Sequence, residues 1–195
     1  MKTVNGRTTE YEIDDIFLKR HSPRAMSGEA ISKQELMTLF EAARWAPSSR
    51  NLQPWKFIYA MRYTPEFETF LSFLVDGNRI WCVRAGTLIV TISKKTTKED
   101  APSPTHSFDS GSAWENFALQ ASRMNNIVVH GIGGIYRDLI KEKLNIPDDY
   151  NMEMMIAVGR PGKIEDLPED LRLREKPNDR KPLEEIIYEG KFIQT

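Results

Sequence analysis

The chain of 195 residues has a single cysteine, Cys82, and lacks both a long apolar run and an excess of charge of either sign. One cysteine excludes an internal disulfide framework and is typical of a reducing compartment. No apolar stretch is long enough to span a bilayer, and the first residues lack the apolar segment of a secretory signal. The sequence therefore predicts a cytoplasmic protein without a membrane partner.

Positive and negative residues are almost equal in number, with 27 Lys and Arg against 28 Asp and Glu and a net charge of -1. Affinity for nucleic acids depends largely on neutralising phosphates with a basic surface, so this balance argues against a nucleic-acid partner. The length fits one domain with a sizeable core. We therefore expect a single domain over residues 1–195.

Several familiar site motifs are also missing. A dinucleotide fingerprint beginning at Gly131 fails because its third glycine would fall at Tyr136. There is no Walker motif and no G-x-S-x-G elbow. The three histidines, His21, His106 and His130, have no paired ligand spacing, so no protein-bound metal is expected. With no catalytic side chain in evidence, the sequence favours a protein that takes its chemistry from a cofactor.

Hydrophobic spacing predicts an alternation of helices and short strands. A capping box at Ser32 and Glu35 begins one helix, and Asp109 is placed to cap the longest. The predicted helices cover residues 9–19, 33–46, 65–76, 110–125 and 138–144, and the predicted strands cover 55–59, 87–92, 127–130 and 152–158. Residues 93–107 are predicted to form a surface loop. The polar residues beyond 159, without a core pattern, are predicted to form an arm that docks on a second subunit.

Two polar stretches are candidates for ligand binding. Residues 20–24, Arg-His-Ser-Pro-Arg, place two guanidinium groups, a hydroxyl and an imidazole together, which suits a phosphate but also describes a solvated basic turn. Residues 47–54 carry two serines, an asparagine and a glutamine between two prolines that restrict the backbone. Such a rigid polar loop often binds ligands, although a plain helix-to-strand connection is the alternative.

In this order along the chain, these stretches resemble the FMN-dependent nitroreductase family. The resemblance is carried by residues 20–24, 47–55 and 180–186, with further support from 109–121 and 130–134, and it extends from about residue 13 to 192. It implies an α+β, nitroreductase-like fold in which a central, mostly antiparallel or mixed sheet is flanked by helices. It also implies a homodimer that exchanges an extended C-terminal arm, roughly residues 160–195.

The resemblance further implies FMN as the cofactor and NAD(P)H as the reductant. Arg20, Ser22 and Arg24 match the family's phosphate and ribityl ligands, with His21 supplying backbone or ring contacts. Arg180 matches a basic residue near the C-terminus that also reaches the phosphate.

Two other groups of residues match positions near the flavin ring in this family. One group is the loop that reaches the flavin from the other subunit, and the other is a small-residue site where backbone approaches the isoalloxazine. They are, respectively, Pro47, Ser48, Ser49 and Asn51, and Gly133 and Gly134. The chain departs from some relatives at Asn178, where those relatives carry a second basic residue.

The implied activity is a ping-pong oxidoreduction, in which NAD(P)H reduces the flavin and a small-molecule electron acceptor, such as a nitro compound or a quinone, then takes its place. Two alternatives stay open. One is a specialised flavin enzyme of the same fold, either a reductive dehalogenase or an enzyme that fragments the flavin. The other is an FMN-binding protein without turnover.

Overall fold

A computed structural model of the chain describes residues 2–192. Six strands are present in this range: β1 (Thr3–Val4), β2 (Arg7–Thr8), β3 (Trp55–Met61), β4 (Thr87–Lys94), β5 (Val128–Ile132) and β6 (Tyr150–Gly159). The helices are α1 (Ile16–Lys19), α2 (Lys33–Arg44), α3 (Pro65–Ser72), α4 (Asp76–Cys82), α5 (His106–Arg123), α6 (Arg137–Lys143) and α7 (Glu169–Arg172). Short 3₁₀ turns lie at Ser49–Asn51, Ile164–Asp166 and Leu183–Glu185.

The central sheet has four strands in the order β3-β4-β6-β5. Each neighbouring pair is antiparallel, so this sheet contains no parallel pair within residues 2–192, where a mostly antiparallel or mixed sheet was expected. The predicted α+β class, with a central sheet between helices, is confirmed. A separate hairpin of β1 and β2 lies near the N-terminus.

Hydrophobic clusters cover both faces of the sheet. On one face α2 and α5 pack on Ile89 of β4 and Ile156 of β6. On the other face α3, α4 and α6 pack around Leu88 and Val90. Successive strand residues point to opposite faces, so β4 serves both clusters and is buried along almost its whole length, as predicted. Within residues 2–192 no helix is both long and apolar enough to cross a membrane.

The first helix is much shorter than predicted. It covers Ile16–Lys19 instead of residues 9–19. The Asp14 carboxylate accepts a hydrogen bond from the Ile16 amide at 2.8 Å, a local bond that competes with helix continuation on its N-terminal side. Tyr11 and Ile13 are 70% and 43% exposed, so the expected first turns have no apolar face buried in this chain.

Two other predicted element boundaries also differ from those in the structure. The helix predicted over 65–76 ends early, at Ser72, and a helix that was not predicted, α4, begins at Asp76 with Gly77 inside it. Leu74 forms an isolated bridge with Ile135 at this break, and bending the chain there lets both Phe73 and Leu74 enter the core. The loop predicted over 93–107 ends early because α5 begins at His106. Asp109 therefore lies in the first turn and is not the cap.

The segment beyond β6 packs on its own chain over much of its length. Leu167, which precedes α7, and Leu171, which lies within it, are 3% and 5% exposed and belong to the hydrophobic core. The expectation of no core pattern after residue 159 was wrong here, because two isolated leucines in a charged stretch give no periodic signal. Residues 193–195 of the predicted arm lie outside the described residues.

Candidate functional site

A cavity of about 590 Å³ lies where the segment after α1 meets the C-terminal segment. It brings together Arg20, His21, Ser22, Arg24 and Arg180, the residues that the sequence predicts to hold a phosphate and its polyol. Its wall contains six basic side chains and one acidic side chain, Glu175. The basic residues are Arg7, Arg20, Arg24, Arg174, Lys176 and Arg180. Such a surplus of positive charge suits an anionic ligand.

His130 of β5 contacts the backbone of the 20–24 segment. Its Nδ1 lies 3.2 Å from the carbonyl oxygen of Pro23, and its ring packs against Trp81 with centroids 4.8 Å apart. Burial, together with the positive charge of Arg24, lowers the pKa of His130. The neutral tautomer that fits this contact carries its proton on Nδ1 and donates it to Pro23.

Glu175 attaches the C-terminal segment to the same loop. Its Oε1 accepts hydrogen bonds from the backbone amides of Arg24 and Ala25 at 2.5 and 2.7 Å. Its Oε2 lies 3.7 Å from Nη1 of Arg24, and the side chain is only 4% exposed. Within residues 2–192 that second oxygen has no hydrogen-bond partner. The carboxylate therefore fixes the backbone from which the Arg24 side chain extends.

The side chain of Arg20 lies between the cavity and α5. It lines the cavity and is 18% exposed, while its Nε lies 3.4 Å from Glu115 of α5. The carboxylate of Glu115 is itself 45% exposed, so solvent screens the pair. An anion in the cavity would therefore meet an arginine that is already oriented by α5.

The polar loop at residues 47–54 is held in a strained conformation. Arg50, Asn51 and Gln53 all have positive φ, at 51°, 55° and 49°. A positive φ costs an L-residue about 1–2 kcal/mol. The buried carboxylate of Asp109 accepts from the Ser49 amide at 3.1 Å, and the Ser48 hydroxyl accepts from the Gln53 amide at 3.0 Å. Backbone strain maintained by surrounding bonds is common at functional sites.

This loop does not line the basic cavity of its own chain. Asp109 fixes it to the start of α5, and its last residue, Pro54, accepts a hydrogen bond from the Lys94 amide at the end of β4. Pro47, Ser48, Ser49 and Asn51 are therefore not brought together with the predicted phosphate ligands within one chain. Their predicted contact with a flavin bound by the other subunit stays a prediction.

Gly133 and Gly134 follow β5 and also lie outside the basic cavity. The Gly134 carbonyl accepts from the Val75 amide at 3.2 Å and from Nδ2 of Asn78 at 3.1 Å. A Cβ atom at Gly134 would lie 2.6 Å from that Nδ2, so a larger residue there would displace the Asn78 side chain from its present position. A Cβ at Gly133 would meet nothing within 4 Å. Their predicted closeness to the flavin ring stays a prediction.

Comparisons with known proteins agree with this fold. Residues 17–68 match the sequence model of the nitroreductase family. A crystal structure described as that of an oxidoreductase containing FMN is 41% identical, with a TM-score of 0.95 over 100% of both chains. The chain belongs to the nitroreductase family. No protein of curated function matches it.

Two more distant structures share the nitroreductase fold. One is a nitroreductase family protein from Clostridium difficile 630, which is 22% identical with a TM-score of 0.71 over 93% of this chain and 100% of that chain. The other comes from Desulfovibrio desulfuricans and was solved in complex with FMN. It is 22% identical with a TM-score of 0.73 over 95% of this chain and 100% of that chain.

Sequence reasoning missed several residues that shape the site of this nitroreductase-family protein. His130, Glu175 and Arg7 act on the basic segments through backbone groups, which no local pattern marks. One signal was available for Arg7: Asn5-Gly6 is a typical turn of a two-residue hairpin. Both residues have positive φ, at 53° and 74°, as a type I′ turn requires, and the turn leads directly into Arg7.

Proposed function

We propose that the protein is an FMN-dependent oxidoreductase that uses NAD(P)H to reduce a small-molecule electron acceptor, such as a nitro compound or a quinone. The observation that carries this proposal is the convergence of Arg20, Arg24 and Arg180 on one cavity. The relative that is 41% identical over the whole chain is named as an oxidoreductase containing FMN, which supports the same cofactor here.

The residues of the cavity fit the phosphate end of FMN. Arginine presents forked donors that match phosphate oxygens, and Ser22 adds a hydroxyl. Burial lowers the pKa of Arg7, and the repulsive positive charges of Arg180 and Arg20 lower it further. A dianion would relieve this repulsion. We assign Arg20, Ser22, Arg24 and Arg180 to the phosphate and ribityl chain, with His21 beside them.

FMN, when bound, supplies a centre that accepts a hydride from NAD(P)H and passes electrons to the acceptor in a ping-pong sequence. The chain's own contribution is to bind and orient the cofactor, and no nucleophilic side chain is needed. Cys82 agrees with this assignment, because burial raises the pKa of its thiol and keeps it protonated. It packs in the core as a small apolar residue.

We further propose a homodimer. The described surface exposes large apolar side chains that an obligate interface would cover. Phe17 is 50% exposed, and Ile186 and Ile187 near the chain end are 56% and 62% exposed. An exchanged arm would therefore begin beyond Leu183, since earlier parts of the segment are attached to their own chain. In such a dimer, the loop at residues 47–54, which does not line the basic cavity of its own chain, would contact the cofactor bound by the partner subunit.

The visible spectrum of the purified protein, recorded before and after anaerobic addition of NADH or NADPH, tests this function. A flavin spectrum that bleaches on addition is the expected result. A stable flavin spectrum would favour the alternative of an FMN-binding protein without turnover. A colourless protein that does not take up added FMN would refute the proposal. A panel of nitroaromatic, quinone and halogenated acceptors would then separate the expected activity from reductive dehalogenation.

A substitution of Arg24 tests the assignment of the cavity. Arg24→Ala should weaken FMN binding by about 1.5–3 kcal/mol, the usual effect of losing a hydrogen bond to a charged group. Arg44→Ala is the matched control, because Arg44 is an exposed arginine of α2 that pairs with Glu41 across one helical turn and does not line the basic cavity. Equal FMN affinities for the two variants, measured by titration with quenching of flavin fluorescence, would contradict the assignment.

A further inference from the structure

Arg7 is a buried arginine in a surface hairpin. Its exposed fraction is only 5%. Its Nη1 donates to the carbonyl oxygens of Leu18 at 2.9 Å and Arg20 at 2.6 Å, and its Nε donates to the carbonyl oxygen of Asn178 at 2.9 Å. Its Nη2 lies 3.4 Å from Oδ1 of Asn178. Every one of these acceptors is uncharged, and among residues 2–192 no carboxylate oxygen lies within ion-pair distance of Arg7.

These bonds join the two segments that carry the candidate phosphate ligands. The Arg20 carbonyl begins the 20–24 segment, and Asn178 lies two residues before Arg180. The hairpin register, with Arg7 opposite Val4, fixes the face from which the guanidinium extends. One side chain therefore sets the spacing between segments that lie more than 150 residues apart in sequence.

Among residues 2–192, no carboxylate forms an ion pair with the guanidinium of Arg7. An arginine stays protonated in proteins even where burial disfavours its charge. A buried charge is costly unless it is paired, and the charged side chains that act most strongly on Arg7 are Arg180 and Arg20, which are also positive. Asp179 is attractive but has a smaller effect. Because Arg7 lines the basic cavity, an anion that enters there would supply the missing compensation.

We propose that Arg7 is a positioning residue for the cofactor phosphate, which makes the N-terminal hairpin part of the cofactor site. It holds the segments of Arg20 and Arg180 at the spacing that a phosphate requires, and it adds positive charge to that end of the cavity. The inference rests on the proposed binding of FMN. It assigns a positioning role to a residue that lies outside both the matched family segment and the stretch of resemblance.

The test compares two ligands that differ only in the phosphate, FMN and riboflavin. Their dissociation constants are measured by flavin fluorescence with the full-length protein after removal of bound flavin. For Arg7→Met we expect FMN to bind at least about 10-fold more weakly, as when one charge-assisted bond is lost, while riboflavin affinity changes by less than about twofold. Arg7→Lys, which keeps the charge and loses the fork, should show a smaller loss confined to FMN.

The chain offers a matched control in Arg62. This arginine likewise donates to backbone carbonyl oxygens, those of Val83 and Ala85 at 2.6 and 3.1 Å, but it does not line the basic cavity. Arg62→Met should therefore leave the ratio of FMN to riboflavin affinity unchanged, even where it lowers stability.

Several outcomes would overturn the inference. Equal weakening of both flavins in the Arg7 variants would indicate general loss of structure, and unchanged FMN affinity would show that Arg7 has no role in binding. If Arg7→Met does not fold, the ratio of FMN to riboflavin affinity in Arg7→Lys is the deciding measurement, and a ratio equal to that of the unsubstituted protein would overturn the inference. Failure of the unsubstituted protein to bind FMN would refute the proposed function itself, whereas a failure confined to the variants would refute only the role of Arg7.

Discussion

Removing the Glu175 carboxylate should destabilise the protein by an amount that the structure allows us to estimate. Glu175→Ala leaves the amides of Arg24 and Ala25 without their acceptor, and Ala25 is only 6% exposed. A buried amide that loses its partner costs about 1–3 kcal/mol. Since water can enter from the adjacent cavity and bond to these groups, we expect the combined cost for the two amides to lie near the lower end of its range, at about 2 kcal/mol.

Urea unfolding followed by tryptophan fluorescence would measure this loss. With a denaturant slope of about 2 kcal/mol/M, the midpoint should fall by about 1 M. Glu175→Gln keeps an oxygen that can accept from both amides, so it should lose clearly less stability than Glu175→Ala. Glu169→Gln removes the same charge from the exposed surface of α7 and should stay within about 0.5 kcal/mol of the unsubstituted protein. The reasoning fails if the alanine variant is as stable as this control, or if glutamine at 175 is as harmful as alanine.

Two further predictions concern stability away from the cavity. The bidentate pair of Glu35 with Arg160 holds the pKa of Glu35 at about 2, against an ordinary value of 4.5, mainly through its hydrogen bonds to Arg160. Because the folded-state pKa is depressed, the stabilisation of about 2–3 kcal/mol is present above pH 4.5 and is lost as the pH falls towards 2. In thermal unfolding, Glu35→Gln should be less stable than the unsubstituted protein above pH 4.5, and this difference in stability should disappear as the pH falls towards 2. A difference in stability that does not depend on pH would contradict the assignment. Arg50→Gly should raise the stability by about 0.5 kcal/mol, because relief of the positive φ outweighs the entropy that glycine adds to the unfolded chain. Ser49→Gly, at a position without positive φ, should lower it, and a decrease for Arg50→Gly would refute the strain argument.

Elements with strong local signals were predictable from the sequence. The helix α2 begins with the capping box predicted at Ser32 and Glu35, and both of its hydrogen bonds are present. Strand β4 was predicted from its apolar run. By contrast, α1 was predicted too long because apolar spacing does not report that the Asp14 side chain bonds to the Ile16 amide. The break between α3 and α4 depends on packing against residues about 60 positions away, which no local pattern contains.

The candidate site was predictable only where several adjacent residues form a pattern. Residues 20–24 stood out because two arginines, a serine and a histidine occur together. Their meeting with Arg180 followed from the family resemblance and not from spacing. Glu175 and Arg7 gave no such signal, because each acts through a single side chain on backbone groups that are distant in sequence. Long-range contacts of this kind are specified by the complete fold, so they become visible only in three dimensions.

The bond between Arg7 and Asn178 spans 171 positions in the chain, and this has a consequence for biosynthesis. Residues 55–159 contain all four strands of the central sheet, so the sheet can assemble before the segment that follows residue 159 has left the ribosome. Contacts of such high sequence separation carry a large entropy of loop closure and tend to form late. The basic cavity is therefore completed only after Asn178 and Arg180 have been translated, and a nascent chain that has already formed its sheet still lacks the place where a phosphate would bind.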